Sequence, residues 1–314
     1  MSLWAFRFLL WYICILLVQP QNRFQFLHPM HIADICIIGA LGFHVMTSSQ
    51  EGRPIIRTGP ATITALFLMV FSFLALKFGP LQTHHGWIPD IDLIYKNCLV
   101  LILVEAMATT VERVWAVQAT LLFSTLWWIK GGIRLAMGGA TYSGDRIMGP
   151  AVSLVENPNG FAYFMTLMIP LYLYFYQKTD HKYFKLGFLG LALAGVYIVL
   201  NTGSRTGLLA LISVGVFLLP KYGAQHKMTI IIAAVAIAIF ASSLGAMNIQ
   251  RFKSIPQSIV SFLAGEDEQK DVSQMNQDEQ SAYERKMKNK HTMALILDYP
   301  IFGVGLKAND VLVM

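Results

Sequence analysis

Apolar runs of membrane-spanning length recur along the whole chain. Their pattern predicts helices at about residues 3–19, 30–47, 60–78, 91–109, 112–130, 160–177, 184–201, 206–220 and 227–247. A run of about 20 apolar residues is long enough to cross a bilayer. A backbone that faces lipid must satisfy its own hydrogen bonds, which favours helices. We therefore expect an all-α, polytopic integral membrane protein with about nine transmembrane helices.

The composition agrees with this expectation. Of the 314 residues, 55% are hydrophobic and only 13% are charged, whereas soluble domains carry about 25% charged residues. The formal net charge of +6 does not indicate nucleic acid as a partner, because the basic residues are spread over short loops. The three cysteines lie in or beside apolar runs without the spacing of a metal site, and we expect no disulfide framework. No carboxylates are spaced for Mg²⁺, and we expect no metal and no other cofactor.

The charge distribution orients the chain in the membrane. Residues 3–19 have the composition of a signal peptide, but no small-residue cleavage site follows, so we interpret them as a first transmembrane helix. Basic residues concentrate in alternate connections, namely at Arg53, Arg57, Arg113, Lys178, Lys182, Lys185, Lys221 and Lys227. The positive-inside rule therefore places these connections and the N-terminus in the cytoplasm, and Arg205 on the outer side.

A polar turn at residues 201–207, called here the Arg205 turn, lies between two uncharged apolar runs. Gly203 and Gly207 allow a tight backbone turn. Ser204 and Thr206 can cap the helix that starts there, whose first amides attract anions. Arg205 adds a planar, permanently charged group suited to phosphate oxygens. The turn therefore predicts a site for a lipid-linked diphosphate. The alternative is an arginine at a helix end whose charge reaches the bilayer surface.

Three charges fall inside predicted spans, at Asp34, Lys96 and Glu105. Such residues usually face a bundle interior or a watery cavity. We expect Glu105 to pair with a neighbouring helix, and the alternative for it is a catalytic role. The three charges together would also suit the pathway of a transporter.

The segment 131–160 is rich in glycine, proline and asparagine, which indicates a loop or re-entrant turn that opens at Gly131. It carries Arg146, a further candidate for binding negative charge, and either Asn157 or Asn159 can cap the next helix. The functional interpretation is a polar cradle for a headgroup, and the alternative is an ordinary capped loop.

Beyond residue 247 the composition becomes polar. We expect a periplasmic loop and, from Ser281, an amphipathic helix that lies along the membrane. Its predicted apolar face holds Tyr283, Met287, Ala294 and Leu297. We expect one transmembrane domain over 1–314, with a helix bundle at 1–247 and a loop and surface helix at 248–314.

Several motifs together resemble the O-antigen ligase and polymerase superfamily, and most closely its putative O-glycosylation ligase branch associated with exosortase systems. One is the Arg205 turn, and another is Arg285, which stands fifteen positions ahead of Pro300-Ile301-Phe302-Gly303-Val304-Gly305. The others precede the turn, in the order Lys130-Gly131-Gly132, Arg146-Ile147-Met148-Gly149-Pro150 and Asn157-Pro158-Asn159-Gly160-Phe161-Ala162.

The resemblance implies a multi-pass, metal-independent glycosyltransferase of the bacterial inner membrane. Such enzymes pass a glycan from an undecaprenyl-diphosphate donor to a lipid, polysaccharide or protein acceptor on the periplasmic face. It implies that Arg205 and Arg285 act in catalysis by holding the diphosphate, since preorganised cations stabilise a departing anion. The residues expected to bind substrate are Arg146, Asn157, Asn159, Ser204 and Lys130.

The family's histidine lies after the Pro-x-x-Gly-x-Gly segment, and the sequence ends at Met314 before that position. We therefore expect a C-terminally incomplete chain and carry over no catalytic histidine. Two alternatives remain: a polytopic transporter, and a truncated ligase that binds the lipid-linked donor without turning it over.

Overall fold

The computed structural model of the chain describes residues 3–22, 24–78, 87–138, 146–149, 155–223, 249, 252 and 277–300. Within these ranges the regular structure is helical and includes no strand, which confirms the all-α prediction for this part of the chain. The α-helices are α1 (Leu3–Val18), α2 (Ile32–Gln50), α3 (Pro60–Phe78), α4 (Trp87–Met107), α5 (Val111–Gly138), α6 (Pro158–Lys178), α7 (Lys182–Asn201), α8 (Arg205–Gly223) and α9 (Gln277–Asp298). Short 3-10 helices lie at Pro20–Asn22 and Gln25–Met30.

Three of the described helices, α2, α3 and α7, are long and apolar enough to cross a membrane. Helix α1 and the Arg205–Leu218 part of α8 are apolar but shorter. These helices indicate a membrane protein, while the number of nine spans stays a prediction. The predicted helix at 227–247, the 301–306 part of the glycine motif and most of the predicted loop lie outside the described residues. Residues 249 and 252, at the start of that loop, are helical.

Helix α5 corrects one prediction. The glycine pair at 131 and 132 was expected to open a loop, but the helix continues through it to Gly138. The reason is packing. A Cβ added at Gly132 would lie 2.9 Å from Cδ1 of Ile198 and 3.2 Å from Cζ of Phe161. The glycine lets α5 approach α6 and α7 closely, which offsets its cost of about 1 kcal/mol relative to alanine in a helix.

The chain divides into two compact units, the first formed by Met1–Tyr12, Ile32–Trp115 and Glu268–Met314, the second by Ile13–His31 and Ala116–Asp267. In the first unit α3 packs on α4. Their contact is built around Ala65, Cys98 and Ile102, which are buried.

The charges predicted to lie inside spans have partners within the first unit. Lys96 Nζ on α4 lies 2.9 Å from Asp34 Oδ1 on α2. The carboxylate of Glu105 accepts a hydrogen bond of 2.6 Å from the backbone amide of Thr62 in the first turn of α3. The expected pairing of Glu105 with a neighbouring helix is therefore confirmed, and Lys96 and Asp34 pair with each other between α4 and α2.

In the second unit, helices α6, α7 and α8 pack together. Ile169, Val196 and Leu200 form a buried apolar cluster among them. Asn157 caps α6 through its side-chain oxygen, which accepts from the Gly160 amide at 2.7 Å. This packing brings the start of α6 and the start of α8 into contact, where the Arg205 turn lies.

Helix α9 begins at Gln277, a few residues before its predicted start at Ser281, and ends at Asp298. Met287, Ala294 and Leu297 of its predicted apolar face are exposed, with Leu297 at 76%. Exposed apolar side chains of this kind mark a surface that contacts a membrane or another protein. That α9 lies along the membrane stays a prediction.

Candidate functional site

Only three residues separate the two helices that meet at the Arg205 turn. Helix α7 ends at Asn201 and α8 begins at Arg205. Gly203 has φ +59°, in the left-handed region that side chains other than glycine's rarely adopt. The side-chain hydroxyl of Thr202 donates to the Val199 carbonyl at 2.6 Å, and both Thr202 and Ser204 are buried. The turn is therefore held by its own polar groups rather than by contact with water.

Helix α8 starts with Arg205, directly after the capping residue Ser204. The Ser204 hydroxyl oxygen accepts a hydrogen bond from the Gly207 amide at 3.1 Å, which confirms the predicted cap at Ser204. Thr206, the other predicted cap, lies within α8. Arg205 is the first helical residue and is half-buried. The positive end of the helix dipole and the guanidinium therefore act at the same place, and both favour an anion.

The first turn of α8 lies very close to the first turns of α6. A Cβ added at Gly207 would lie 2.5 Å from the Cβ of Ala162. Real Cβ atoms do not approach so closely, so a glycine is required at this crossing. The two helix N-termini are thereby brought side by side.

A short irregular segment, the strap (residues 146–149), crosses the end of α7. The Ile147 amide donates to the Asn201 carbonyl at 3.1 Å, and Arg146 Nε donates to the Thr202 carbonyl at 2.9 Å. These two acceptors belong to the carbonyl end of α7, where positive charge is favourable. At its other end, the Gly149 amide donates to the Glu156 carbonyl at 2.9 Å. The strap therefore ties the end of α7 to the residues that lead into α6.

Arg146 also reaches α6 directly. Its terminal NH2 nitrogen donates to the side-chain oxygen of Asn159 at 3.1 Å. One guanidinium thus joins the Arg205 turn, through the Thr202 carbonyl, to the start of α6. The Thr202 carbonyl was not predicted as a functional group, because a backbone oxygen leaves no signal in the sequence.

The structure brings most of the predicted site residues together. Four of them surround the Arg205 turn or the adjoining start of α6, namely Arg146, Asn157, Asn159 and Ser204. Lys130 is elsewhere: it is exposed on α5, and its Nζ lies 5.4 Å from the centroid of the Trp127 ring. Arg285 is part of α9, in the first unit. The roles of these residues in catalysis and substrate binding stay predictions.

Two family models match the chain. A model described as O-Antigen ligase matches residues 189–312, and a model described as Family of unknown function (DUF5935) matches residues 4–180. The first contains the Arg205 turn and α9, and the second contains the strap and the start of α6. The hydrogen bond from Arg146 to Thr202 therefore joins the two matched regions. Comparison with curated proteins and with solved structures gives no significant match.

Proposed function

We propose that this chain, which belongs to the O-antigen ligase superfamily and to the family of unknown function DUF5935, is a glycan-transferring enzyme of the bacterial inner membrane. The O-antigen ligase domain supports a ligase-like glycosyl transfer in a membrane. Our proposal adds the donor, an undecaprenyl-diphosphate-linked glycan, and a lipid, polysaccharide or protein acceptor on the periplasmic face. The order of the motifs along the chain favours the O-glycosylation ligase branch associated with exosortase systems.

The observation that carries the proposal is the geometry of the Arg205 turn. A half-buried arginine occupies the first position of α8, directly after a Ser204 cap that leaves the dipole of the helix pointing out of its N-terminus. Backbone amides at such an end bind phosphate groups in many folds. An arginine adds a fork that can bind two oxygens of one phosphate. A lipid-linked diphosphate has this chemistry and reaches the site from the bilayer.

The reaction needs the stabilisation that this arrangement supplies. The bond between the anomeric carbon and the diphosphate oxygen breaks, and the oxygen keeps the electron pair. The acceptor oxygen bonds to the anomeric carbon, and its proton passes to water or to the departing diphosphate. Negative charge therefore grows on the diphosphate in the transition state, where a preorganised cation is worth about 10²–10³-fold in rate. We assign this role to Arg205 and, on the resemblance alone, to Arg285.

The contacts of the charges inside spans argue against the transporter alternative. Lys96 pairs with Asp34, and Glu105 caps α3, so each has a structural partner. A transport pathway needs ionisable groups that can exchange partners with a substrate or ion. The polar groups gathered at the Arg205 turn instead suit a bound anion at one end of the helices.

The test uses the full chain in lipid nanodiscs. Undecaprenyl diphosphate is titrated to measure donor binding, and a labelled undecaprenyl-diphosphate-linked glycan is supplied to measure transfer. We expect Arg205→Ala to weaken binding about tenfold or more, because a hydrogen-bonded charge is lost. Arg205→Lys should retain part of the affinity.

The control is Lys182→Gln, at the opposite end of α7, about 30 Å along the helix from the turn. Binding and transfer together support the enzyme. Binding without transfer supports a protein that only holds the donor. If Arg205→Ala binds undecaprenyl diphosphate as tightly as the unmodified protein, the proposed site is wrong.

A further inference from the structure

Arg146 was expected to bind substrate through its charge, but its contacts indicate a different use. Its Nε donates to the Thr202 carbonyl and its terminal nitrogen to the Asn159 side-chain oxygen. Both acceptors are uncharged groups of the protein, on different elements and at fixed directions. A planar guanidinium can satisfy both because its donors are rigidly oriented.

The contact with Arg146 determines the orientation of the Asn159 amide. An arginine can only donate, so the atom facing it must be the Asn159 oxygen. The amide nitrogen, with its two N–H donors, then faces away from Arg146. Asn159 is half-buried in the first turn of α6. It precedes Ala162 by one helical turn, and Ala162 lies against Gly207 of α8. Asn159 therefore lies one turn from the point where α6 meets α8, and Arg146 does not engage its amide donors.

We propose that Arg146 is a positioning residue that orients the Asn159 amide to donate to an oxygen of the donor's diphosphate, while its second contact holds the Arg205 turn in place. This inference rests on the proposed function. In this arrangement Asn159 contacts the diphosphate directly and Arg146 does not. The two helix N-termini then supply complementary groups, an amide from α6 and a guanidinium from α8.

Arg146→Lys separates positioning from charge. Lysine keeps the positive charge but cannot span two acceptors with a planar fork. A charge-binding role predicts near-normal affinity for undecaprenyl diphosphate in Arg146→Lys and a loss in Arg146→Met. A positioning role predicts that both variants lose affinity to a similar extent, about tenfold.

Asn159→Asp separates the donor role of the amide from its structural role. An aspartate keeps an acceptor for Arg146 and adds a favourable charge near a helix N-terminus, so the fold is preserved. It removes both N–H donors. Gln177→Glu is the matched control, since it makes the same amide-to-carboxylate change at the other end of α6. Repulsion between the new carboxylate at position 159 and the diphosphate is recognised because it weakens at high salt.

All four variants are measured by titration with undecaprenyl diphosphate in nanodiscs, with thermal unfolding as the check on folding. We expect Asn159→Asp to bind about tenfold more weakly than Gln177→Glu at high salt. Equal affinities in these two variants would overturn the assignment to Asn159, and normal affinity in Arg146→Lys would overturn positioning. If the Arg146 variants do not fold, the comparison of Asn159→Asp with Gln177→Glu still decides.

The outcome for Arg205→Ala keeps this inference apart from the proposed function. If that variant loses binding while Asn159→Asp and Arg146→Lys bind normally, only the inference fails. If Arg205→Ala binds normally, the proposed diphosphate site itself fails.

Discussion

The carboxylate of Glu105 accepts a hydrogen bond of 2.6 Å from the backbone amide of Thr62. A residue on α4 thereby caps the N-terminus of α3, where four amides lack partners within their own helix. The negative charge also lies at the positive end of the α3 dipole. An ionisable residue in an apolar helix is thus explained by a neighbouring helix end, with no need for a transported ion.

The first prediction concerns the space that this carboxylate occupies. A Cβ added at Gly59 would lie 1.7 Å from Oε1 of Glu105. We expect Gly59→Ala to lower the melting temperature, because the carboxylate must leave its position on α3. The double variant Gly59→Ala with Glu105→Ala should lose less stability than the sum of the losses in the two single variants, because both substitutions remove the same contact.

Thermal unfolding of the purified protein in detergent measures this coupling. The control is Gly42→Ala, at a glycine in α2 with nothing within 4 Å of an added Cβ. A melting temperature for Gly59→Ala equal to that of Gly42→Ala would contradict the close contact.

The sequence predicted the bounds of several helices well. Helix α3 was expected at 60–78 and is observed at Pro60–Phe78, because a proline at its first position follows a polar, glycine-containing loop. The Ser204 cap was also predictable, since a hydroxyl residue preceded a long apolar run. These features depend on neighbours along the chain, which the sequence shows directly.

Features that depend on distant contacts could not be predicted. Glycines 131 and 132 have the same local signal as a loop, and only the contacts of Gly132 with α6 and α7 explain why the helix continues. The strap could be identified as irregular, but its acceptors are backbone carbonyls that any residue could supply. The function of Arg146 was therefore visible only once Thr202 and Asn159 had been placed around it.

The second prediction uses the two adjacent glycines of α5 as a matched pair. An added Cβ at Gly131 meets nothing within 4 Å, whereas one at Gly132 would lie 2.9 Å from Ile198. Gly131→Ala should raise the stability by up to about 1 kcal/mol, because alanine favours the helix. Gly132→Ala should lower it. Both variants are measured by thermal unfolding. If residues 131 and 132 formed a loop, the two substitutions would change the stability to a similar extent.

The third prediction concerns the ion pair between α2 and α4. Asp34→Asn and Lys96→Gln should each lower the melting temperature modestly, since the side chains are about one-third exposed (37% and 35%) and partly screened. The exchanged pair, Asp34→Lys with Lys96→Asp, should recover most of the loss. Binding of undecaprenyl diphosphate should be unchanged in the exchanged pair. A transport pathway would not tolerate the exchange of charges that it uses. If the exchanged pair has normal stability but loses function, the transporter alternative is favoured.

The last prediction concerns the crossing that brings the two helix N-termini together. Gly207→Ala would place its Cβ 2.5 Å from the Cβ of Ala162, so α8 must move away from α6. We expect weaker binding of undecaprenyl diphosphate, because Arg205 stands two residues before the crossing and moves with it. Ala162→Gly in the same chain removes the opposing atom and should restore affinity, although glycine in a helix costs stability by about 1 kcal/mol. Gly215→Ala, at an open position of the same helix, is the control for propensity. If the double variant binds no better than Gly207→Ala, the spacing of the two helices does not determine the geometry of the site.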